Sequence, residues 1–239
     1  MVSSPATLKA LNARIVDCNL CPRLRTYCAE VARVRRRAYA DWDYWGRPVP
    51  SFGDPAASVL ALGLAPGAHG SNRTGRPFTG DGSGEFLFPV LYDAGFASQP
   101  QATSRDDGMR LTGLWINSVA RCAPPGNKPT TEELRNCAPW LDEELRLLCN
   151  LRVVVCLGRI AFDGLLAHAQ RTGQITSRSG YKFGHGAEYT LPGGLQVITS
   201  FHPSLQNTNT GRLTRAMFLA IFQRARKLAG MTPADRPVQ

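Results

Sequence analysis

The chain of 239 residues is 43% hydrophobic and 19% charged, which is typical of a globular protein with one sizeable core. No apolar run reaches the length of about 18 residues that a membrane-spanning helix needs, and the N-terminus lacks the apolar core of a signal peptide, so we expect a cytoplasmic protein. The formal net charge is +10, and since four of the 28 basic residues are lysines, 24 are arginines. This excess favours an anionic polymer as partner, although an arginine-rich proteome or a solvated face such as RVRRR at 33–37 would give the same charge.

Helical and extended segments alternate along most of the chain. Leu8, Leu11 and Ile15 have the spacing of one helix face, and a helix there would be capped by Ser4. Thr130 begins another helix with the capping-box pattern TTEE. The other predicted elements are strands at 58–62, 114–119, 152–157 and 196–200, helices at 85–94 (interrupted near Pro89), 159–170 and 212–228, and a hairpin at 177–194.

This alternation predicts an α/β fold in which a mostly parallel sheet is covered by helices on both faces. We expect a single domain over residues 1–229 and a disordered tail over residues 230–239. Ligands of such folds bind beyond the carboxyl ends of the strands. Three loops should therefore meet at one site: residues 63–84, the residues that follow Ile116, and residues 201–214.

Seven cysteines without a secretion signal argue against a disulfide scaffold and raise the question of a metal site. Cys18 and Cys21 form a C-x2-C pair, and Cys122 and Cys137 lie at the two ends of CAPPGNKPTTEELRNC. If the fold brings the pairs together, they make a four-thiolate site for zinc or an iron–sulfur cluster; four thiols without a metal are the alternative. Two other cysteines lie in apolar runs and are expected to be buried free thiols: Cys149 and Cys156.

Residues 63–84, GLAPGAHGSNRTGRPFTGDGSG, form a glycine-rich loop after the first buried strand. The loop has no lysine and no G-x-G-x-x-G that opens into a helix, so it matches neither common phosphate-binding template. It supplies close backbone approach, an aromatic ring at Phe78 and a carboxylate at Asp81, and His202 follows the last strand. A carboxylate and a histidine on facing loops of a basic protein indicate hydrolysis on a nucleic acid.

These blocks resemble the uracil-DNA glycosylase superfamily, and most closely its family 5 (type B) branch, which is related to the family 4 iron–sulfur enzymes. The resemblance rests on GLAPG at 63–67, RPFTGD at 76–81, Asn117 at the end of LWIN, HPS at 202–204 and the paired cysteines. It implies a three-layer α/β/α sandwich around a central four-stranded parallel sheet. It also implies a monofunctional DNA glycosylase that flips uracil or another deaminated base such as hypoxanthine out of DNA and leaves an abasic site in base excision repair.

The resemblance implies a role for individual residues as well. Phe78 would stack on the extruded base, Asn117 would read its edge, and His202 would stabilise negative charge on the leaving base. A structural [4Fe–4S] cluster would be held by Cys18, Cys21, Cys122 and Cys137. The remaining implied contacts are those to the base, from Gly63, Leu64 and Ala65, and those to DNA, from His69, Arg73, Arg76, Ser204, Leu205, Gln206, Asn207 and Arg212.

The first motif departs from other branches of the superfamily, which place Asp or Asn where this chain has Ala65. Neither Leu64 nor Ala65 can orient water. The type B branch shares this absence, and the nearest carboxylate in its signature corresponds to Asp81, so the resemblance implies the water-positioning or cation-stabilising role for Asp81. An apolar first motif also lacks a polar side chain that would select one base over another, which favours a broad choice of base. No lysine lies near these motifs, which argues against a lyase step.

Each assignment has an alternative. Asp81 could only cap the helix near Glu85, Phe78 could belong to the core, Asn117 could be a strand-end turn residue, and His202 could be structural. The whole chain could be a non-catalytic iron–sulfur module that binds nucleic acid. We expect a monomer that acts on DNA and has no membrane partner.

Overall fold

Four parallel strands form the centre of this computed structural model, which describes residues 7–232. The strands in chain order are β1 (Phe52–Gly53), β2 (Val59–Gly63), β3 (Leu114–Ser118), β4 (Val153–Leu157), β5 (Glu188–Thr190) and β6 (Gln196–Ser200). The α-helices are α1 (Leu8–Val16), α2 (Pro22–Val34), α3 (Ser71–Thr74), α4 (Gly82–Asp93), α5 (Thr131–Leu147), α6 (Arg159–Arg171), α7 (Leu205–Asn209) and α8 (Arg215–Leu228). Two 3-10 turns, Arg37–Tyr39 and Pro125–Asn127, complete the helical elements of the described residues.

The strand order in the sheet is β1-β3-β2-β4-β6-β5. The central strands β3, β2, β4 and β6 are parallel, while β1 and β5 add short antiparallel edges. The chain leaves β2 for β3 on one side and reaches β4 on the other, so β2 marks the point where the winding direction changes. A crevice opens at such a point beyond the carboxyl ends of the strands, and the glycine-rich loop leaves β2 there.

The sheet is buried on both faces, as expected for parallel strands that are continuous apolar runs such as VLALG and VVVCL. Val59 and Ala61 face the core beneath α4 and α8, and Leu60 and Leu62 face the core beneath α1, α5 and α6. The three-layer α/β/α sandwich around four parallel strands is therefore confirmed. None of the helices in residues 7–232 combines the length and apolar character that crossing a membrane requires.

Several element boundaries differ from the prediction. The helix expected at 85–94 with a break near Pro89 runs unbroken over Gly82–Asp93: Pro89 removes one backbone donor from the helix interior, and the burial of Leu87, Phe88 and Leu91 offsets this loss. The helix expected at 212–228 is present as α8 but begins at Arg215, with Thr214 as its cap, and the loop expected before it contains the short helix α7.

The N-terminal segment and the predicted hairpin also differ from expectation. The cap expected at Ser4 lies outside the described residues, and Thr7 caps α1 instead by accepting a hydrogen bond from the Ala10 backbone N–H. In the hairpin region only Glu188–Thr190 pairs with β6. At the other end of the chain, Met231 packs against the core, so the tail expected from 230 is ordered as far as 232; the rest of it lies outside the described residues.

Candidate active site

A cavity of about 550 Å³ lies beyond the carboxyl ends of the parallel strands. As the topology predicts, the loops after β2, β3 and β6 meet around it. Its volume is within the range of pockets that enclose small organic ligands. The lining residues are Val49, Leu64, Ala65, Pro66, Gly67, Ser71, Pro77, Phe78, Asp81, Gly82, Ser83, Ser118, Ala120, Arg121, Asn127, His202, Ser204, Leu205 and Gln206.

Phe78 forms one wall of the cavity in a constrained conformation. Its φ of 51° lies in the left-handed region, which a bulky residue adopts only where the surroundings enforce it. A Cβ on Gly84 would overlap the Phe78 carbonyl, and a Cβ on Gly63 would lie 2.8 Å from Phe78 Cζ. The glycines therefore allow the ring to lie over the end of β2, where it is buried yet lines the cavity.

Asp81 both caps α4 and lines the cavity. Its Oδ1 accepts hydrogen bonds of 3.1 Å from the backbone N–H groups of Ser83 and Gly84. Its Oδ2 lies against Gly67 and Gly70: a Cβ on Gly67 would lie 2.6 Å from this oxygen, and a Cβ on Gly70 would overlap it. The capping role that was the alternative interpretation is therefore present, and it uses only one oxygen.

The ionisation of Asp81 is affected by its surroundings. Burial raises the pKa of the Asp81 carboxyl above its ordinary value, although the two capping N–H groups act to lower it. A carboxylate that is partly desolvated in this way is a stronger base than one in water. A raised pKa at a cavity is a feature of groups that move protons.

His202 enters the cavity from the loop that follows β6. Its ring centroid lies 5.9 Å from that of Phe78, with the two planes 32° apart. Burial lowers the pKa of His202 to about 4, so the imidazole is neutral near pH 7. Its backbone carbonyl accepts a 2.8 Å hydrogen bond from Asn207 Nδ2, which fixes the turn into α7.

Asn117 lies on β3 and is fully buried, and it is not among the residues that line the cavity. Its Nδ2 donates a hydrogen bond to Glu144 Oε2, and its Oδ1 has no hydrogen-bond partner among the described residues. The next residue, Ser118, does line the cavity. Asn117 is therefore buried away from the cavity surface, next in the chain to a residue that lines it, and has one acceptor unsatisfied.

Most residues expected to contact DNA from the last loop lie at the mouth of the cavity. Leu205 is 57% exposed and lies over Gly82, on which a Cβ would be 2.7 Å from Leu205 Cδ2. Ser204 and Gln206 line the cavity beside it. Arg212 is exposed, and its guanidinium lies 4.5 Å from the ring centroid of Phe201. This loop presents an apolar tip and a free cation to the solvent.

Arg73 and Arg76, expected as phosphate contacts, are instead buried inside the glycine-rich loop. The Arg73 guanidinium lies about 4 Å from the ring centroids of both Tyr39 and Trp42, at 3.9 and 4.0 Å, and donates to the Gly80 carbonyl. Arg76 pairs through two hydrogen bonds of 2.8 and 2.6 Å with Asp107. Both groups are committed to internal contacts, because a buried guanidinium needs partners, and neither reaches the surface.

His69 also lies away from the cavity. Its Nδ1 is 3.1 Å from the hydroxyl of Tyr44, and burial together with nearby Arg36 and Arg73 lowers its pKa. It borders a surface groove at the end of α2 rather than the main cavity. A role in contacting DNA at that groove stays a prediction.

The four cysteines of the predicted cluster lie near one another. Cys21, Cys122 and Cys137 are buried, and Cys18 is half-buried. Burial raises the pKa of Cys21 and that of Cys137, the latter to about 12, and in both cases the charge of Cys122 adds to the effect. No disulfide links the seven thiols, and within residues 7–232 no group of three or more Cys, His, Asp or Glu side chains has metal-binding spacing.

A fifth thiol lies beside this group. Cys28 packs against Cys122, and its Sγ donates to the Ala123 carbonyl at 3.5 Å. Asn136 Nδ2 lies 3.6 Å from Cys21 Sγ. Of the two cysteines predicted to be buried free thiols, Cys156 is buried, but Cys149 is exposed because it follows the end of α5.

The sequence interpretation missed the buried acid Glu144 and its partner Arg121. Glu144 accepts hydrogen bonds from Trp115 Nε1 at 2.8 Å and from Arg121 Nη2 at 2.5 Å, in addition to that from Asn117. Arg121 also donates to Ser51 Oγ at 2.6 Å and lines the cavity. The sequence signal that could have identified Glu144 was its helical spacing, because it falls on the same face of α5 as Cys137 and Leu141.

Comparisons with known proteins agree with this architecture. The family model for the uracil DNA glycosylase superfamily matches residues 50–226, so the chain belongs to that superfamily. A type-5 uracil-DNA glycosylase of Thermus thermophilus is 55% identical over 217 residues, which cover 91% of this chain and 96% of the relative.

More distant relatives indicate the branch of the superfamily in which the chain falls. A type-5 uracil-DNA glycosylase of Mycobacterium tuberculosis is 47% identical over 222 residues, or 92% of this chain and 81% of the relative. A type-4 uracil-DNA glycosylase of Pyrobaculum aerophilum is 28% identical over 176 residues, 72% of each chain. Within the superfamily, the chain therefore falls with the proteins named type-5 uracil-DNA glycosylases.

Proposed function

We propose that this protein hydrolyses the N-glycosidic bond of uracil in DNA and leaves an abasic site. The observation that carries the proposal is Asp81, which lines the cavity and uses only one of its two oxygens, Oδ1, to cap α4. The neutral imidazole of His202 lines the same cavity. Membership of the superfamily and the names of the relatives support uracil in DNA as the substrate.

The residues at the cavity have complementary roles in this reaction. The extruded base stacks on Phe78, and an N–H of neutral His202 donates to the base oxygen on which negative charge develops. Water oxygen bonds to C1′ as the bond from C1′ to the base nitrogen breaks, and the electron pair leaves with the base. The Asp81 carboxylate stabilises the positive charge on the sugar and takes the proton from water.

The apolar wall of the cavity supports a broad choice of base. Leu64 and Ala65 line it without offering a hydrogen bond to the base. Hypoxanthine resembles uracil in carrying a ring N–H beside a carbonyl, so the same acceptor would satisfy both. We include deaminated purines such as hypoxanthine among the substrates.

The loop after β6 supplies the contact with duplex DNA. Extruding a base costs a few kcal/mol, and an apolar side chain that fills the gap in the stack offsets part of this cost. Leu205, exposed at the mouth of the cavity, is the residue placed to do so, and Arg212 is placed to contact a phosphate. None of the residues that line the cavity is a lysine, so the chain offers no amine there to attack the sugar.

The activity is tested with duplex oligonucleotides that carry a single uracil, hypoxanthine, xanthine or thymine. After incubation and alkali treatment, we expect strand cleavage for uracil and hypoxanthine and none for thymine. Borohydride present during the incubation should trap no covalent complex, because a monofunctional enzyme forms no Schiff base. Absence of cleavage at every deaminated base would leave the non-catalytic binding module as the better interpretation.

We also propose that Cys18, Cys21, Cys122 and Cys137 hold a [4Fe–4S] cluster. The chemistry of the donors supports it, although their spacing within residues 7–232 is not that of a metal site: four free thiols, three of them buried, with an amide N–H of Asn136 close to one sulfur. The cluster would supply a rigid link between the N-terminal helices and the segment that precedes and begins α5. Hydrolysis transfers no electrons, so the link is structural.

The cluster proposal has a matched pair of variants. Purified protein should absorb near 400 nm and contain iron rather than zinc. Cys21→Ser should abolish the absorbance, whereas Cys28→Ser, which changes a neighbouring thiol outside the proposed ligand set, should retain it. Zinc without absorbance in the wild type, or loss of absorbance only in Cys28→Ser, would contradict this ligand assignment.

A further inference from the structure

Glu144 is a carboxylate without exposed surface in the middle of α5. It accepts hydrogen bonds from three donors on or next to β3: Trp115 Nε1, Asn117 Nδ2 and Arg121 Nη2. A buried carboxylate needs a counter-charge and satisfied oxygens, and Arg121 supplies that charge at 2.5 Å. Glu144 and its three donors therefore form a buried polar network within the apolar layer beneath α5.

This network fixes the orientation of the Asn117 amide. An ionised carboxylate can only accept hydrogen bonds, so the Asn117 side chain must turn its NH2 group toward Glu144 and its oxygen away from it. The Oδ1 atom is buried and has no hydrogen-bond partner among the described residues. An unsatisfied buried acceptor is costly and calls for an explanation.

The location of that acceptor suggests the explanation. Asn117 lies at the carboxyl end of β3, immediately before Ser118, and both Ser118 and Arg121 line the cavity. Asn117 is thus next in the chain to one residue of the proposed base pocket and shares the Glu144 carboxylate with another. Glu144 contacts Asn117 and Arg121 but does not line the cavity itself.

We propose that Glu144 is a positioning residue that determines base choice by holding Asn117 with its oxygen available to the base. This inference rests on the proposed function. With the amide held in this orientation, Asn117 accepts a hydrogen bond from a ring N–H, as in uracil and hypoxanthine. Cytosine and adenine carry a lone pair on the corresponding ring nitrogen. This nitrogen and the oxygen of Asn117 are both acceptors, so no hydrogen bond would form between them. Sites built around such a hydrogen bond reject the wrong partner strongly, because a buried group is left unpaired.

The test measures base preference separately from catalysis. Binding is compared for duplexes that carry 2′-fluorinated deoxyuridine or 2′-fluorinated deoxycytidine, whose glycosidic bonds resist hydrolysis, with wild type and Glu144→Gln. The glutamine amide can donate as well as accept, so Asn117 is free to turn over. We expect the preference for uracil over cytosine to fall by about tenfold or more, as expected when one oriented hydrogen bond is lost.

Trp115→Phe is the matched control, since it removes another donor from the same carboxylate without releasing the Asn117 amide. We expect its uracil preference to equal that of the wild type. A Glu144→Gln protein that folds and keeps the full preference overturns the proposal, and so does an equal loss in Trp115→Phe. If Glu144→Gln does not fold, Glu144→Asp gives the same comparison, because it keeps the negative charge and withdraws the carboxylate from Asn117.

These outcomes differ from failure of the proposed function. In that case the wild type would show no preference between the two duplexes and would release no uracil from an unmodified one. A wild type that prefers uracil, together with a Glu144→Gln variant of unchanged preference, would contradict only the role of Glu144.

Discussion

The two oxygens of Asp81 have different partners, and this explains why a helix cap can also belong to the reaction. Oδ1 is held by two backbone N–H groups, which fixes the carboxylate in place. Oδ2 lies against Gly67 and Gly70, where any side chain would collide with it. The glycines at 67 and 70 therefore make room for a carboxylate oxygen.

Substitution of Gly70 tests this arrangement at a single atom. In Gly70→Ala the new Cβ would overlap Asp81 Oδ2 and displace it. We expect the rate of uracil release under single-turnover conditions to fall at least about tenfold, which corresponds to about 1.4 kcal/mol of transition-state stabilisation. Gly180→Ala is the control, since nothing lies within 4 Å of its Cβ position, and it should react at the wild-type rate. Equal rates in the two variants would show that the position of Oδ2 does not matter.

The pH dependence follows from the opposite shifts of two groups. Burial raises the pKa of Asp81, so protonation removes its charge at a higher pH than for an ordinary aspartate. Burial lowers the pKa of His202 to about 4, so the imidazole stays neutral throughout the range above that value. We expect kcat/KM to fall as the pH falls through the raised pKa of Asp81, with a plateau above it.

A profile of kcat/KM from pH 4.5 to pH 8 measures this dependence. His202→Gln should lower the plateau without moving the acid limb, because the limb belongs to Asp81. An activity that increases steadily toward acid pH would mean that the protonated form of one of these groups is the active one.

At the scale of elements, the parallel strands and the meeting of three loops followed from the sequence. Buried strands have a strong apolar signal, and their carboxyl ends define where loops converge. The partners of long polar side chains did not follow. Arg73 and Arg76 look like phosphate contacts in the sequence, yet one is enclosed by Tyr39 and Trp42 and the other pairs with Asp107.

Helix boundaries and the polar network around Glu144 also could not be predicted from the sequence. The true start of α4 depends on Asp81 accepting two backbone hydrogen bonds, which the sequence allowed only as an alternative. Glu144 lies in the charged run LDEELRLL, where its neighbours are half-buried, and only the packing of α5 on β3 shows that it is fully buried. Tertiary contacts between segments far apart in the chain decide such cases.

Leu205 on the short helix α7 gives a separate prediction about duplex DNA. This side chain is 57% exposed, so Leu205→Ala should leave the melting temperature nearly unchanged. If it fills the gap left by the flipped base, the variant should release uracil more slowly from a duplex, by about tenfold, and nearly normally from a single strand. Leu20→Ala, which truncates a leucine that is 56% exposed on the segment between α1 and α2, should behave as wild type on both substrates. Similar losses on duplex and single strand would exclude a wedge.

At the scale of the whole molecule, a net charge of +10 together with the proposed action on DNA predicts that phosphate contacts contribute to binding. We expect the affinity for duplex DNA to fall linearly with salt concentration on a double logarithmic plot, with a slope of about −0.9 for each phosphate contacted. Arg212→Gln should make this slope shallower by about one unit, because Arg212 is exposed in the loop between α7 and α8 and we propose it as a phosphate contact.

Arg224→Gln provides the comparison for the salt experiment. The Arg224 guanidinium is already paired with Glu188 through two hydrogen bonds of 2.8 Å, so its loss should change the slope less. Fluorescence anisotropy at a series of salt concentrations measures both variants. A slope that is unchanged in Arg212→Gln would place the phosphate contacts elsewhere on the basic surface.

The central claim is that the carboxylate of Asp81 takes part in releasing uracil. The most direct measurement is the single-turnover rate on a uracil-containing duplex for wild type and Asp81→Asn. Asparagine caps a helix about as well as aspartate, so the variant should fold and bind DNA as the wild type does. We expect its rate to fall by about 100-fold or more, as when a group that assists proton transfer is removed. A folded Asp81→Asn protein that releases uracil at the wild-type rate would show that Asp81 only caps α4, and would contradict the account.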